Sequence, residues 1–122
     1  YSIKKLFYRK DRVKSLKTKL KKNIINKNYG WCDDSKSKKY NQLIRYPFNY
    51  SCEKLYREDR IYDIILVLDY NINPIKKNMG SAIFIHVAKN NYNRTKGCVA
   101  IKKKSIRKLV QLINKNTKVK IS

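Results

Sequence analysis

The segment Ile61-Tyr-Asp-Ile-Ile-Leu-Val-Leu-Asp-Tyr70 gives a clear indication of β structure in this chain. It is short, rich in β-branched and aliphatic residues, and bounded by Asn71-Ile-Asn-Pro74, which is typical of a buried strand. After the turn at Met79-Gly80-Ser81, Ala82-Ile-Phe-Ile-His-Val87 predicts a second strand. Beyond an asparagine-rich loop, Cys98-Val-Ala-Ile101 predicts a third.

A helix is predicted after the third strand. Ser105 is a residue type that caps helices, and the apolar residues that follow recur at helical spacing, namely Ile106, Leu109, Val110 and Ile113. Asn114-Lys-Asn116 ends this helix, and Lys118-Val-Lys-Ile121 is expected to be a closing strand. The chain is therefore predicted to be mainly β with one C-terminal helix.

The first half of the chain is less regular. Val13, Leu16, Leu20 and Ile24 fit one helical face, but the lysines between them alternate as in a strand, so periodicity leaves both open. Residues 29–35 predict a turn or loop opening. Residues 35–60 are polar with scattered aromatics, and irregular structure with short helical turns is expected there.

Length and charge limit what the protein can be. The chain has 122 residues, which predicts one domain over 1–122, and 42% are hydrophobic, enough for a packed core. The net charge of +23 predicts attraction to a polyanion. The alternative is that part of the charge reflects mutational bias, because Lys, Asn, Ile and Tyr are all abundant, as the codons of an AT-rich genome favour. No run of about 18 apolar residues exists to span a membrane. No signal peptide is visible, and Tyr1 in place of an initiator Met suggests a fragment or a processed chain.

The three cysteines and the single histidine point to nucleophilic chemistry more than to a metal. An odd cysteine count does not suit a fully paired disulfide framework, and whether Cys32 and Cys52 pair stays open. No C-x-x-C is present, so a zinc site would need all three cysteines together with His86.

His86 and Cys98 end one predicted strand and begin the next, so adjacent strands could bring their side chains together. A cysteine attacks as its thiolate, and a nearby imidazole can take the thiol proton. Gly97 lets backbone N–H groups approach a developing oxyanion. The structural alternative is that His86 is a hydrogen-bonded residue near the core and that Cys98 is a small core residue.

A family resemblance favours catalysis. His86, Thr95, Gly97 and Cys98 resemble the signature of the YkuD-type L,D-transpeptidase catalytic domain, a His followed by [Ser/Thr]-x-Gly-Cys. The resemblance covers nearly the whole chain in order, through Phe7–Arg12, Gly30-Trp-Cys-Asp-Asp34, Tyr40-Asn41, Tyr56–Asp59, Tyr62-Asp63, Tyr70-Asn71 and Gly80–His86. It implies a β-sandwich catalytic domain and an extended course for residues 13–28, and the family's usual upstream strands are expected to be missing from this sequence.

The chain departs from the family pattern at two positions near the cysteine. Lys96 stands where many members have His, and Ala100 stands where many have Arg or Asn, so the resemblance does not define substrate detail.

Other residues are candidates for substrate binding. Tyr92 and Thr95 flank the proposed cleft, and Arg57 is suited to hold a substrate carboxylate. Asp63, Trp31 and Asp33 recur in the resembled branch and are expected near the pocket. The alternatives are that Trp31 fills the core, that Asp63 ends a strand, and that Arg57 forms a salt bridge with Glu53 or Asp59.

The resemblance implies a cysteine acyltransferase that acts on peptidoglycan stem peptides through a Cys98 thioester, with His86 as base and acid. It implies no cofactor and no metal, and a location in the periplasm or cell envelope. Two rivals remain. One is a basic nucleic-acid-binding module built on the lysine-rich segments 1–28 and 102–120, and the other is an inactive relative that only binds wall peptide.

Overall fold

The computed structural model describes residues 1–72, 75–76, 79, 81, 83–88 and 99–120. These residues form eight strands and one helix, in the order β1 Ile3–Tyr8, β2 Lys22–Ile24, β3 Tyr29–Cys32, β4 Leu43–Arg45, β5 Cys52–Lys54, β6 Ile64–Leu68, β7 Phe84–Val87, β8 Val99–Ile101 and α1 Lys103–Leu112. The mainly β fold with one C-terminal helix is thereby confirmed.

The larger sheet has the strand order β2-β1-β6-β7-β8. Strand β6 lies at its centre, pairs antiparallel with β1 and β7, and has all five residues buried. The two outer pairs, β1 with β2 and β7 with β8, are parallel. A central strand that is covered on both faces requires a continuous apolar sequence, which is what Ile64–Leu68 supplies.

The two faces of the larger sheet are covered by different elements. On one face, α1 packs its buried residues Ile106 and Val110 against Leu6, Leu66 and other side chains of the sheet. On the other face, Phe84 of β7 packs in a second apolar cluster that includes Trp31 of β3. The sheet is therefore enclosed between a helix and a second sheet.

The second sheet is antiparallel, with the order β4-β3-β5. The rings of Trp31 and Phe84 meet edge to face, with centroids 5.3 Å apart, and join the two sheets. Gly30 lies in a close-packed part of this sheet. A Cβ there would lie 2.9 Å from Ile44 Cδ1 and 3.2 Å from the backbone oxygen of Glu53, so a side chain would require these neighbours to shift.

Several local expectations were wrong. The helix begins at Lys103 with Lys102 as its N-cap and no side-chain capping bond, so Ser105 lies inside it. Residues 29–32 form β3 instead of a turn. Of the two interpretations left open for the segment ending at Ile24, β2 agrees with the extended course that the resemblance implies. Irregular structure at 35–60 is interrupted by β4 and β5. Toward the C-terminus, Lys118 makes an isolated bridge to Ser2 in place of a strand.

Candidate active site

The imidazole of His86 is held in one orientation inside the structure. His86 lies on β7 and is only 4% exposed, and its Nδ1 is 2.9 Å from the carbonyl oxygen of Val87. A carbonyl can only accept, so Nδ1 carries the hydrogen and donates. In the neutral ring, Nε2 then has the lone pair. The local backbone therefore defines Nε2 as the nitrogen that can take a proton.

The second support of His86 is Tyr62. The two rings meet at 82° with centroids 5.5 Å apart, and both residues are buried. The Tyr62 hydroxyl donates a hydrogen bond to Glu53 Oε1 on β5. Because Glu53 belongs to the smaller sheet and His86 to the larger one, this contact ties the orientation of the imidazole to the packing of the two sheets.

Strand β8 lies directly beside the strand that carries His86. Ala100 is the register partner of His86, and Val99 is the partner of Ile85. Ala100 places only a methyl group next to the imidazole on that side. Cys98, Gly97, Thr95 and Tyr92 lie outside the described residues, so their predicted roles stay predictions. Cys98 is joined by one peptide bond to Val99, the first described residue of the strand beside His86.

Asp63 is the centre of a buried charge cluster. Its side chain is completely buried, and it receives hydrogen bonds from Arg12 at 3.2 Å and from Lys103 at 3.1 Å. Arg60 lies 3.7 Å away and is mostly exposed. The cluster joins the segment after β1, the start of β6 and the first turn of α1. This environment gives Asp63 an internal structural role, and contact with substrate stays a prediction.

The other predicted substrate-binding residues have partners within the protein. Arg57 forms two hydrogen bonds with the carboxylate of Asp59, at 2.9 and 2.7 Å. These bonds raise the pKa of the Arg57 guanidinium, the hydrogen bond with Asp59 being the largest cause. The Arg57 guanidinium also lies 5.5 Å from the centre of the Tyr62 ring, and it therefore stands one side chain away from His86.

Trp31 and Asp33 differ in exposure. Trp31 is buried in the apolar cluster, and its indole N–H donates to Asn41 Oδ1 at 3.0 Å, so it does fill the core. Asp33 is exposed and accepts a hydrogen bond of 2.7 Å from the Ser51 hydroxyl. Arg57 is connected to His86 through the Tyr62 ring, which lies between their side chains in this series of contacts.

Two arginines that the sequence did not single out hold the segment between β5 and β6. Arg9 is buried, donates to the carbonyl of Arg57 at 2.8 Å, and stacks over the Tyr56 ring at 3.5 Å. Arg12 donates to the carbonyls of Asp59 and Glu58, at 2.6 and 2.8 Å. Their only sequence signal was their place in Phe7–Arg12, a segment that matched the family but suggested no role.

Among the residues that the structure describes, no group of at least three histidine, cysteine, aspartate or glutamate side chains is arranged so that it could hold a metal ion. Across the same residues, no helix has the length and apolar character needed to cross a membrane.

The geometry defines a mainly β protein of two packed sheets with a buried, oriented histidine beside the strand that follows Cys98. A scan against protein families matches YkuD, the L,D-transpeptidase catalytic domain, over residues 1–121. The chain therefore belongs to the YkuD family. Searches of curated proteins and of solved structures find no significant match.

Membership in the family has direct consequences. It implies L,D-transpeptidase-type activity, because YkuD domains are typically cysteine L,D-transpeptidases. The family also implies peptidoglycan as the substrate class and action in the cell envelope.

Proposed function

We propose that this protein is a cysteine L,D-transpeptidase in which Cys98 is the nucleophile and His86 is its general base and acid. The observation that carries the proposal is the orientation of the imidazole. Nδ1 is committed to the Val87 carbonyl, which makes Nε2 the basic nitrogen, and the neighbouring strand begins one residue after Cys98. A nucleophile needs a base with this kind of fixed tautomer.

In the proposed first step, Nε2 of His86 takes the thiol proton of Cys98. The thiolate attacks a carbonyl carbon of a peptidoglycan stem peptide, and backbone N–H groups near Gly97 and Cys98 stabilise the oxyanion. The carbon–nitrogen bond then breaks, and His86 returns its proton to the leaving amine of a D-amino acid. An acyl thioester on Cys98 remains.

In the second step, the amine of a neighbouring stem attacks the thioester carbonyl, and the Cys98 thiolate leaves. His86 accepts the proton that the attacking amine loses. The result is a new peptide cross-link. If water takes the place of the amine, the same steps give hydrolysis, which is the L,D-carboxypeptidase outcome.

Substrate binding is proposed for Thr95 and Tyr92, which precede Cys98 in the sequence, and for Arg57. The Arg57 side chain is 32% exposed and lies over the Tyr62 ring, so it brings positive charge near His86 even while paired with Asp59. A carboxylate of the stem peptide would be attracted to that charge. Action in the periplasm or cell envelope belongs to the same proposal.

Intact-mass spectrometry tests the proposal. The purified chain is incubated with a stem tetrapeptide, beside Cys98→Ala, His86→Ala and a Cys32→Ser/Cys52→Ser control. We expect a mass gain equal to the acyl group in the wild type and in the control, no gain in Cys98→Ala, and slow gain in His86→Ala. A folded wild type without adduct or product would contradict the proposal and favour an inactive relative that only binds wall peptide.

A second candidate function is the binding of a nucleic acid, and one surface favours it. Lys4, Lys5, Lys21 and Lys115 line one groove beside β1. Among the described residues, the lysine found in an ion pair with a carboxylate is Lys103, which lies elsewhere. Nucleic-acid affinity that falls steeply with salt and survives Cys98→Ala would support this function. Lack of measurable affinity at low salt would exclude it.

A further inference from the structure

Cys32 and Cys52 face each other across two strands of the smaller sheet. They are register partners in the antiparallel pair of β3 and β5. The backbone N–H of Asp33 donates to the carbonyl oxygen of Ser51 at 3.2 Å, and the backbone N–H of Leu55 donates to the carbonyl oxygen of Tyr29 at 3.1 Å. Hydrogen-bonded and non-hydrogen-bonded pairs alternate along such a ladder, so the two cysteines occupy a non-hydrogen-bonded pair.

A non-hydrogen-bonded pair has the geometry that a disulfide needs. Its Cα atoms are typically about 4.5 Å apart, with the side chains on the same face. Disulfides bridge Cα atoms that are roughly 4.4–6.8 Å apart. The bond therefore requires rotation of the two side chains and little movement of the backbone.

Weak contacts hold the two thiols in their present positions. No bond joins the two sulfurs in the structure, and Cys32 is completely buried with its sulfur 3.8 Å from the carbonyl oxygen of Asp34. Cys52 is partly exposed, and its thiol donates to the Tyr46 hydroxyl at 3.2 Å. Thiol hydrogen bonds are weak, so neither contact prevents pairing. Solvent access makes Cys52 the first thiol that an oxidant meets.

We propose that Cys32 and Cys52 form a reversible disulfide by exchange with a small-molecule or protein disulfide. The Cys52 thiolate attacks one sulfur of the oxidant, which releases one thiol and leaves a mixed disulfide on Cys52. The Cys32 thiolate then attacks the Cys52 sulfur and displaces the second thiol. Two protein thiols are oxidised, one external disulfide is reduced to two thiols, and the protons pass to those thiols.

The bond would fix the smaller sheet without entering the site around His86. Trp31 and Glu53, the neighbours of the two cysteines, point toward the larger sheet, so the cysteines lie on the opposite face. The bond would close a loop over residues 33–51 and hold the strand that carries Glu53. Cys98 would then be left as the single free thiol. The proposal stands without the proposed catalytic function.

The test uses the full chain with Cys98→Ala, which leaves only this pair of thiols. After native incubation with glutathione disulfide, the chain is acid-quenched, alkylated with N-ethylmaleimide, and analysed by intact mass and peptide mapping. We expect a loss of two hydrogens, no alkylation, and a linked Cys32–Cys52 peptide. The melting temperature should exceed that of the dithiothreitol-reduced chain by roughly 10 °C, because the bond constrains the unfolded chain.

Two matched variants make the result specific. With Cys32→Ala added, the mixed glutathione disulfide should accumulate on Cys52. With Cys52→Ser/Ser51→Cys added, the second thiol moves to the other face of β5, and no internal bond should form. The proposal is overturned if both native thiols are alkylated after oxidation, if the mixed disulfide persists while Cys32 is present, or if the shifted pair bonds equally well.

Discussion

The replacement Asp63→Asn isolates the contribution of the buried carboxylate, because it removes the charge and keeps the size of the side chain. Asp63 has no exposed side-chain surface, and its two closest cations, Arg12 and Lys103, are 21% and 32% exposed. Arg60 is 68% exposed and farther away. The cluster connects α1 to the start of β6, so we expect the replacement to weaken the packing of the helix.

The size of the effect follows from the distances. At an effective dielectric of about 20, charges roughly 3 Å apart attract by about 5 kcal/mol, and desolvation of the carboxylate opposes part of this. Removing one partner of a buried ion pair typically costs about 3–5 kcal/mol. Arg60 contributes at most about 1 kcal/mol, because it is exposed. The amide oxygen still accepts from Arg12, so the expected loss is about 3 kcal/mol.

Urea denaturation of Asp63→Asn beside Asp11→Asn measures this loss. Asp11 also accepts two hydrogen bonds from an arginine, Arg9, but its side chain is 52% exposed, so its replacement should cost at most about 1 kcal/mol. Equal costs for the two variants would refute the argument. A stable Asp63→Asn variant that no longer forms the acyl adduct would instead assign Asp63 to substrate binding.

Three further predictions follow from single contacts. The hydrogen bonds from Arg9 lower the pKa of Asp11 from 3.8 to about 2, so this carboxylate stabilises the fold above pH 3.8 and loses the effect as the pH falls through 2. Asp11→Asn should reduce the loss of unfolding free energy over that pH range by less than about 1 kcal/mol, and an unchanged pH profile would contradict a stabilising role for the Arg9–Asp11 pair. Asn41→Asp should cost about 3 kcal/mol in urea, because its amide donates to two backbone carbonyls at 3.2 and 2.6 Å, and wild-type stability would refute this. Tyr62→Phe keeps the ring against His86 but removes the hydrogen bond to Glu53, so it should slow adduct formation only slightly, whereas Tyr62→Leu should slow it on the order of tenfold, and equal rates would exclude a positioning role for the ring.

The sequence alone was sufficient to predict those elements whose burial follows from a local apolar pattern. The buried strand β6 and the apolar face of α1 were predictable, because continuous apolar runs and helical spacing report directly on burial. Strand β3 was missed because Gly30 suggests a turn, whereas this glycine lies inside the strand, with Ile44 and the backbone of Glu53 packed close to it. The early start of α1 places Lys103 in its first turn, where it contacts Asp63, a residue 40 positions away in the sequence.

The sequence also predicted only part of the candidate site. His86 was identifiable because it is the only histidine and ends an apolar strand. Its support by Tyr62 and Glu53 depends on how the two sheets pack, and no spacing in the sequence encodes that contact. The enclosure of Asp63 by Arg12 was hidden for the same reason, since the two residues are 51 positions apart.

The proposed mechanism requires His86 to act as the base for Cys98, and the pH dependence of Cys98 alkylation is the sharpest test of this role. The rate of reaction with iodoacetamide is measured in a Cys32→Ser/Cys52→Ser background, with and without His86→Gln. We expect an apparent pKa for Cys98 well below the ordinary value of about 8.5, and a return to about 8.5 when His86 is replaced. Superimposable profiles with an apparent pKa near 8.5 in both chains would contradict it.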